Sequence, residues 1–270
     1  MAYKLLAIDL DGTLLTTGKE ITPAGVNALA GAMDAGLHII IASGRPYISI
    51  VKYLETIDAN NYIISSAGAQ IHDSNGKMVH SCCVDPAKTK EILNWCKDRG
   101  LHCQVYKDNG FYYIKESSFA ALYAKHNGIT GFAAPGLEER GDIMTPKILI
   151  IDEPERIKKI KAEIRNEFPE LTVLSSTAYY AEILDPSASK ANALEWVAGT
   201  LGVSPGEIIA FGDNEIDLSM LEYAGFSVAV SNSIPAVIAA ADYVTDSNND
   251  DGVANAIHKL VLNNKRVGVN

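Results

Sequence analysis

Short continuous apolar runs alternate with helical patterns at both ends of this chain, and a parallel sheet buried on both faces accommodates that pattern best. Tyr3 to Leu10, Leu37 to Ala42 and Tyr62 to Ser66 read as buried strands. Thr22-Pro23 supplies an N-cap and a first-turn proline for a helix reaching Ala35, closed by Gly36. Ser74-Asn75-Gly76 lies between Gln70–His72 and Lys77–Cys82 and predicts a hairpin. Regular alternation returns after Asp185-Pro186. It runs through helix Lys190–Leu201, strand Ile208–Phe211, helix Ile216–Ala224, strand Phe226–Val230, helix Pro235–Ala240, strand Tyr243–Thr245 and helix Val253–Leu262.

The middle of the chain is grouped differently. Asp85-Pro86 opens a helix ending near Gly100, followed by a strand pair hinged at Asp108-Asn109-Gly110 and a helix over Phe119–Asn127. A Gly- and Pro-bearing loop, strand Lys147–Ile151, helix Pro154–Phe168 and strands Leu171–Leu174 and Tyr180–Leu184 complete the section. The economical expectation is an α/β fold: a doubly wound, Rossmann-like parallel-sheet core from residues 1–83 and 186–270, with an α+β unit of residues 84–185 inserted.

The balance of charge limits the partners. With a formal net charge of −10 and scattered Lys and Arg, the chain gains nothing from counterion release on nucleic acid or from an anionic membrane. An anionic substrate would need local positive charge. Asp9 and Asp11 interrupt the first apolar run well before a signal-peptide core could form, and no stretch approaches the ~20 apolar residues of a membrane span. Cys82, Cys83, Cys96 and Cys103 fit no common zinc spacing and read as free thiols in a reducing cytoplasm.

Four clusters carry chemistry, each near the carboxyl end of an expected strand or beside that edge. Asp9-Leu10-Asp11-Gly12-Thr13 places two carboxylates two residues apart, on one face if the strand continues, with Gly12 permitting a sharp turn. Ser43-Gly44-Arg45 offers a hydroxyl and a close-approaching backbone suited to phosphoryl oxygens, although Ser-Gly also simply makes turns. Lys190 stands at a helix N-terminus, where it opposes the dipole, and an anion there would resolve the conflict. Asp213 and Asp217 lie at i and i+4, sharing one face if a helix begins between them, and suit a hard divalent cation.

With these residues in this order, the chain resembles the haloacid dehalogenase superfamily, particularly its Cof-type phosphatases with a large αβ cap. Asp9-x-Asp11-Gly-Thr matches the first motif, Ser43 the second, Lys190 the third, and Asp213 with Asp217 the fourth. Ala67-Gly68-Ala69 and Asp251-Gly252-Val253 extend the likeness. Two positions depart from the pattern: Ile216 and Ala67 stand where an Asn is usual.

The resemblance implies a Mg²⁺-dependent phosphomonoesterase acting on small phosphorylated metabolites such as sugar phosphates. It implies Asp9 as nucleophile, Asp11 as acid and base, Ser43, Gly44 and Lys190 around the phosphoryl group, and Asp9, the Asp11 carbonyl, Asp213 and Asp217 around the metal. Tyr112, Tyr179, Tyr180 and Glu182 in the inserted unit are candidates to face the substrate, although packing in the core or on a strand surface accounts for each more simply. A phosphomutase, or a weakly catalytic phosphometabolite-binding protein, would carry the same aspartates. The expectation is a cytoplasmic monomer or weak homodimer.

Overall fold

A computed structural model describes residues 3–57, 61–107 and 110–263. Asp108 and Asn109, the expected hinge of a strand pair, lie outside the described residues. The chain opens with β1 (Leu5–Ile8), α1 (Pro23–Asp34), β2 (His38–Ala42), α2 (Val51–Ile57) and β3 (Ile63–Ser65), then the hairpin β4 (Gln70–His72) and β5 (Met78–Ser81). The central part supplies α3 (Pro86–Asp98), β6 (His102–Lys107), β7 (Gly110–Tyr113), α4 (Ser118–Asn127), β8 (Thr130–Ala133), β9 (Ile148–Ile151), α5 (Pro154–Glu167), β10 (Thr172–Leu174) and β11 (Tyr180–Leu184). The last part supplies α6 (Lys190–Leu201), β12 (Ile208–Gly212), α7 (Leu218–Tyr223), β13 (Phe226–Val230), α8 (Pro235–Ala240), β14 (Tyr243–Thr245) and α9 (Gly252–Ile257).

These strands form two sheets. The first has the order β14-β13-β12-β1-β2-β3-β4-β5, with every pair from β14 to β3 parallel and the β4–β5 hairpin antiparallel. Alternate residues of its central strands enter different cores. Leu6, Ile8, Ile39, Ile41, Ile209 and Phe211 pack beneath α1 and α9, whereas Leu5, Ala7, Ile40 and Ala210 pack against α6 and α7. Burial on both faces is what makes these strands continuously apolar. The order reverses on either side of β1, and at such a switch point the carboxyl ends of neighbouring strands leave a crevice. Asp9, Ser43 and Asp213 directly follow β1, β2 and β12 at that edge.

The second sheet, β10-β11-β9-β6-β7-β8, comes wholly from residues 102–184 and is antiparallel except for β7–β8. α3 and α5 cover one face through Trp95, Ile157, Ile160 and Ile164. α4 covers part of the other through Ala120 and Tyr123, packed with Tyr106, Phe111 and Leu149.

Three differences from the sequence expectations have local causes. α2 and β8 carry no strong periodic signal, and the three β8 positions other than Gly131 are all exposed on a sheet edge. β1 ends at Ile8, so Asp9 and Asp11 leave from a loop and not from one strand face. The helix expected from Ile216 begins instead as a 3-10 turn, Glu215–Asp217, capped by Asn214, and becomes α-helical only at Leu218.

The start of α6 is fixed against the β3–β4 connection. Gly68 has φ +97° and lies so close to Ser189 that a Cβ would fall 2.1 Å from its carbonyl oxygen. Ser189 caps α6 by accepting from the Asn192 N–H, and Lys190 follows it. Gly68→Ala should therefore destabilise the protein by roughly 2–4 kcal/mol, through both backbone strain and forced separation from Ser189. Urea unfolding of the two proteins checks this, and an unchanged midpoint would contradict it.

Candidate active site

Lys190 is fully buried at the first turn of α6, an arrangement that demands counter-charge. Its Nζ donates to Asp9 Oδ1 at 2.6 Å and Asp217 Oδ1 at 2.5 Å. The dipole conflict visible in the sequence is thus met by carboxylates of this chain. Burial opposes the charge on Lys190, but Asp217 and Asp9 outweigh it and raise its pKa.

Asp217 reaches that position through the 3-10 turn. Its Oδ2 accepts the backbone N–H groups of Asp213 and Asn214, each at 3.0 Å, folding the segment after β12 back on itself. Asp213 Oδ1 accepts from Thr13 Oγ1 at 3.0 Å. Gly12, at φ +83°, leaves the room this carboxylate occupies, since a Cβ there would lie 2.5 Å from Asp213 Oδ2. The glycine expected to turn the chain therefore also admits the Asp213 carboxylate.

The side chains of Asp9, Asp213 and Asp217 offer oxygens within 4.8 Å of one another, all three residues being buried. Burial followed by repulsion from Asp217 raises the Asp9 carboxyl well above the usual range, with Lys190 partly opposing this. The same two causes push Asp213 up to about 7. Three carboxylates face one ammonium, and every donor is a hard oxygen, which fits a divalent cation such as Mg²⁺ or Mn²⁺ and not a soft metal. Asp9 and Asp213 have oxygens uncommitted among the described residues, whereas both oxygens of Asp217 already accept hydrogen bonds.

Asp11 faces a different environment. Arg45 grips it from two nitrogens, Nε to Oδ2 at 2.5 Å and Nη2 to Oδ1 at 2.8 Å, and Lys19 Nζ donates to Oδ1 at 2.7 Å. Burial would raise its pKa, but Arg45 and Lys19 together overcome that and hold it down at about 2. The two aspartates of the first motif are therefore separated electrostatically: the Asp9 side chain belongs to the acidic cluster and the Asp11 side chain to a cationic one.

Asp9, Asp11, Gly44, Asp213 and Asp217 line a cavity of about 240 Å³ between the carboxyl edge of the first sheet and the second sheet. Gly44 is at the wall, while Ser43 and Lys190 are each only 1% exposed and sit behind it. Ser43 Oγ accepts from Arg45 N at 3.2 Å. Of the candidates in the second sheet, Tyr180 and Glu182 line the cavity. Tyr112 instead stacks on Phe132, and Tyr179 is half exposed.

Lys147 was invisible to sequence reasoning as a site residue. Its Nζ bridges Glu182 Oε2 and the Gly44 carbonyl, both at 2.7 Å, joining the second sheet to the Ser43–Arg45 loop. The available signal was Glu182 itself, an acidic residue between Ala181 and Ile183 that must find a cation if buried. Arg45 and Lys19 were likewise missed, although Arg45 adjoins Ser43-Gly44. Of the two positions departing from the family pattern, Ile216 is buried at the cavity wall. Ala67 occupies left-handed backbone, φ 60° and ψ 29°, which Asn tolerates better than Ala.

A sequence profile described as haloacid dehalogenase-like hydrolase matches residues 6–257. The chain belongs to the haloacid dehalogenase-like hydrolases. Among relatives of this haloacid dehalogenase-like hydrolase, YxeH of Bacillus subtilis is 34% identical, with 96% of this chain and 99% of the relative aligned. The 5-amino-6-(5-phospho-D-ribitylamino)uracil phosphatase YwtE of the same organism is 28% identical, with 96% and 98% aligned. A haloacid dehalogenase-like hydrolase from B. subtilis superposes with TM-score 0.87 at 26% identity, covering 96% of this chain and all of that one. The haloacid dehalogenase-like fold thus extends over both sheets. Among the described residues no helix is long and apolar enough to cross a membrane.

The charge excess gives a signed expectation. Asp213 has a folded-state pKa above its unfolded value, so its ionisation costs stability as pH rises towards and past about 7. In EDTA, Asp213→Asn should therefore melt higher than the unaltered protein at pH 8, with the gap closing towards pH 5. Adding Mg²⁺ should raise the unaltered protein more than the variant. Differential scanning fluorimetry across pH tests both, and a gap independent of pH would contradict the burial argument.

Proposed function

We propose that this hydrolase is a divalent-metal-dependent phosphomonoesterase, with Mg²⁺ as the metal, acting on small phosphorylated metabolites through a covalent intermediate on Asp9. The observation that carries the reading is the convergence of Asp9, Asp213 and Asp217 on one cavity at the sheet's switch point, with the Lys190 ammonium buried behind its wall and bonded to Asp9 and Asp217. Relatives named as phosphatases support the reaction class, and YwtE, whose name specifies a phosphorylated ribityl compound, supports a small hydroxylated substrate. The family fold supports a hydrolase reading over that of a binding protein.

Asp9 and Asp213 would hold the cation with Asp217 behind them, and the Asp11 carbonyl would complete the contact from the first motif. Once bound, the cation supplies charge neutralisation between the substrate's phosphoryl oxygens and the acidic cluster. The remaining steps belong to the protein. An Asp9 carboxylate oxygen forms a bond to phosphorus as the bond from phosphorus to the ester oxygen breaks. Lys190 fixes the other Asp9 oxygen, so the nucleophile is oriented before substrate arrives. Gly44 presents backbone to the phosphoryl oxygens, and Ser43 and Lys190 support that cradle from behind it.

Asp11 must deliver a proton to the departing oxygen, yet Arg45 and Lys19 keep it ionised in the ligand-free site. An incoming phosphate dianion competes for the same two cations and adds its own negative charge beside Asp11. Both effects raise the proton affinity of Asp11 when acid catalysis is needed. In the second half-reaction Asp11 takes a proton from water as that water's oxygen bonds to phosphorus. The bond from phosphorus to Asp9 breaks, and inorganic phosphate leaves.

The second sheet, within residues 84–185, acts in this proposal as a cap that closes the cavity and selects the leaving group. It contributes Lys147, Tyr180 and Glu182 to the wall opposite the acidic cluster.

Phosphate release from a panel of phosphorylated metabolites, with Mg²⁺ and with EDTA, tests the reading. Asp9→Asn should abolish turnover while the protein remains folded by circular dichroism; substantial turnover by that variant would remove Asp9 from the nucleophilic role. Asp11→Asn should slow a sugar phosphate by about 10²–10⁴-fold while impairing phosphoenzyme formation from p-nitrophenyl phosphate much less, because nitrophenolate departs without a proton. Rapid-mixing bursts distinguish these cases, and equal losses for both leaving groups would contradict the acid role.

A further inference from the structure

A buried chain of hydrogen bonds runs along one face of β6 and ends at the cavity wall. Its members are Ser117, His102, Gln104, Tyr106 and Tyr123, and of these His102, Gln104, Tyr106 and Tyr123 are buried. Ser117 Oγ lies 2.9 Å from His102 Nδ1, and His102 Nε2 lies 3.1 Å from Gln104 Oε1. Gln104 Nε2 donates to the Tyr106 hydroxyl at 2.8 Å, and that hydroxyl donates to the Tyr123 hydroxyl at 2.6 Å.

The direction of donation follows from one end to the other. Ser117 Oγ caps α4 by accepting from the Ala120 N–H, and its own proton goes to His102 Nδ1. Burial keeps His102 neutral, and because the Gln104 Oε1 facing Nε2 can only accept, the single ring proton sits on Nε2 and leaves Nδ1 as the acceptor for Ser117. The amide nitrogen of Gln104 then faces Tyr106, and Tyr106 passes its proton towards Tyr123. The Tyr123 oxygen is thereby an acceptor in the chain, and its own proton has no acceptor among the described residues. Tyr123 lines the active-site cavity together with His126 and Asn127 from the same helix.

We propose that Tyr123 is a specificity-determining residue, donating a hydrogen bond from its hydroxyl to an acceptor oxygen on the leaving group of the substrate. The acceptor required is a hydroxyl, carbonyl or ether oxygen, as in a polyhydroxylated phosphate ester, and a plain aryl or alkyl ester lacks it. Tyr106 is the positioning residue, because its proton occupies the lone pair that would otherwise let the Tyr123 hydroxyl turn inward. Nearby polar groups suit the same class of ligand: Ser176 Oγ donates to Glu182 Oε1, and Lys147 donates to Oε2. The inference rests on the phosphomonoesterase reading above, which assigns the reaction but leaves the leaving-group contact open.

The test compares kcat/KM for ribose 5-phosphate with that for phenyl phosphate, in the full-length protein with Mg²⁺. Tyr123→Phe removes one hydroxyl, and the ratio of the two values should fall by roughly 5- to 100-fold, the range for a hydrogen bond lost inside a buried site. Tyr106→Phe should lower the same ratio by a smaller factor, and the double variant should be no worse than Tyr123→Phe alone. A ratio within two-fold of the starting value for Tyr123→Phe would overturn the proposal, as would a Tyr106→Phe effect that adds fully to it. If the unaltered protein releases phosphate from neither ester, the phosphomonoesterase reading fails, and this inference with it. A ratio that stays flat in an active enzyme overturns the Tyr123 contact alone.

Discussion

One buried ammonium makes the rest of this site possible. Lys190 is enclosed between Asp9 and Asp217, and without it the carboxyl edges of β1 and β12 would bring ionised groups together in a region closed to water. Its position is inherited from the packing around it. Gly68 lets the β3–β4 connection touch the Ser189 carbonyl, Ser189 caps α6, and the first turn of α6 then carries the ammonium to the sheet edge. A contact between two backbones thereby determines the electrostatics of a cavity lined largely by side chains.

The site is built from two opposed charge groups, each serving one aspartate of the first motif. On one side Asp9, Asp213 and Asp217 leave a negative excess suited to a cation. On the other, Arg45 and Lys19 leave a positive excess around Asp11. Phosphate esters are dianions, and in the proposed reaction such a pair of subsites would take a divalent cation and the ester without net charge entering a chain that is strongly acidic as a whole. Asp9 and Asp11, two positions apart, thus acquire different proton affinities from their surroundings alone.

Much of this was legible in the sequence, for identifiable reasons. Strands such as Leu5–Ile8 and Ile208–Gly212 lie between two helical layers, and burial on both faces leaves a continuous apolar signature. Lys190 was legible because it opposed its own helix. Yet the remedy, two carboxylates from distant segments, depended on tertiary placement. Asp213 and Asp217 were rightly paired but wrongly explained: they meet through a turn in which Asp217 accepts two backbone N–H groups, not through spacing on a helix. Lys147 was illegible because a lysine before an apolar strand reads as a solvated flank, and only the β9–β11 pairing brings it to Glu182. The Tyr106–Tyr123 contact was hidden similarly, since aromatic residues on a strand and a helix signal core packing equally well.

Lys147 also reaches across to the Gly44 carbonyl, and the peptide unit it holds has its other end tied, because the Arg45 N–H donates to Ser43 Oγ. Order in the Ser43–Arg45 loop and the Lys147 contact between the sheets therefore share one peptide unit. A ligand that brings the sheets together need not separately meet the entropy of arranging the loop. Separating them to release a product would loosen the loop in the same motion, so affinity for the anion would drop as the exit opens. In the proposed reaction, this ammonium–carbonyl contact would tie departure of the product to relaxation of the surface that held it.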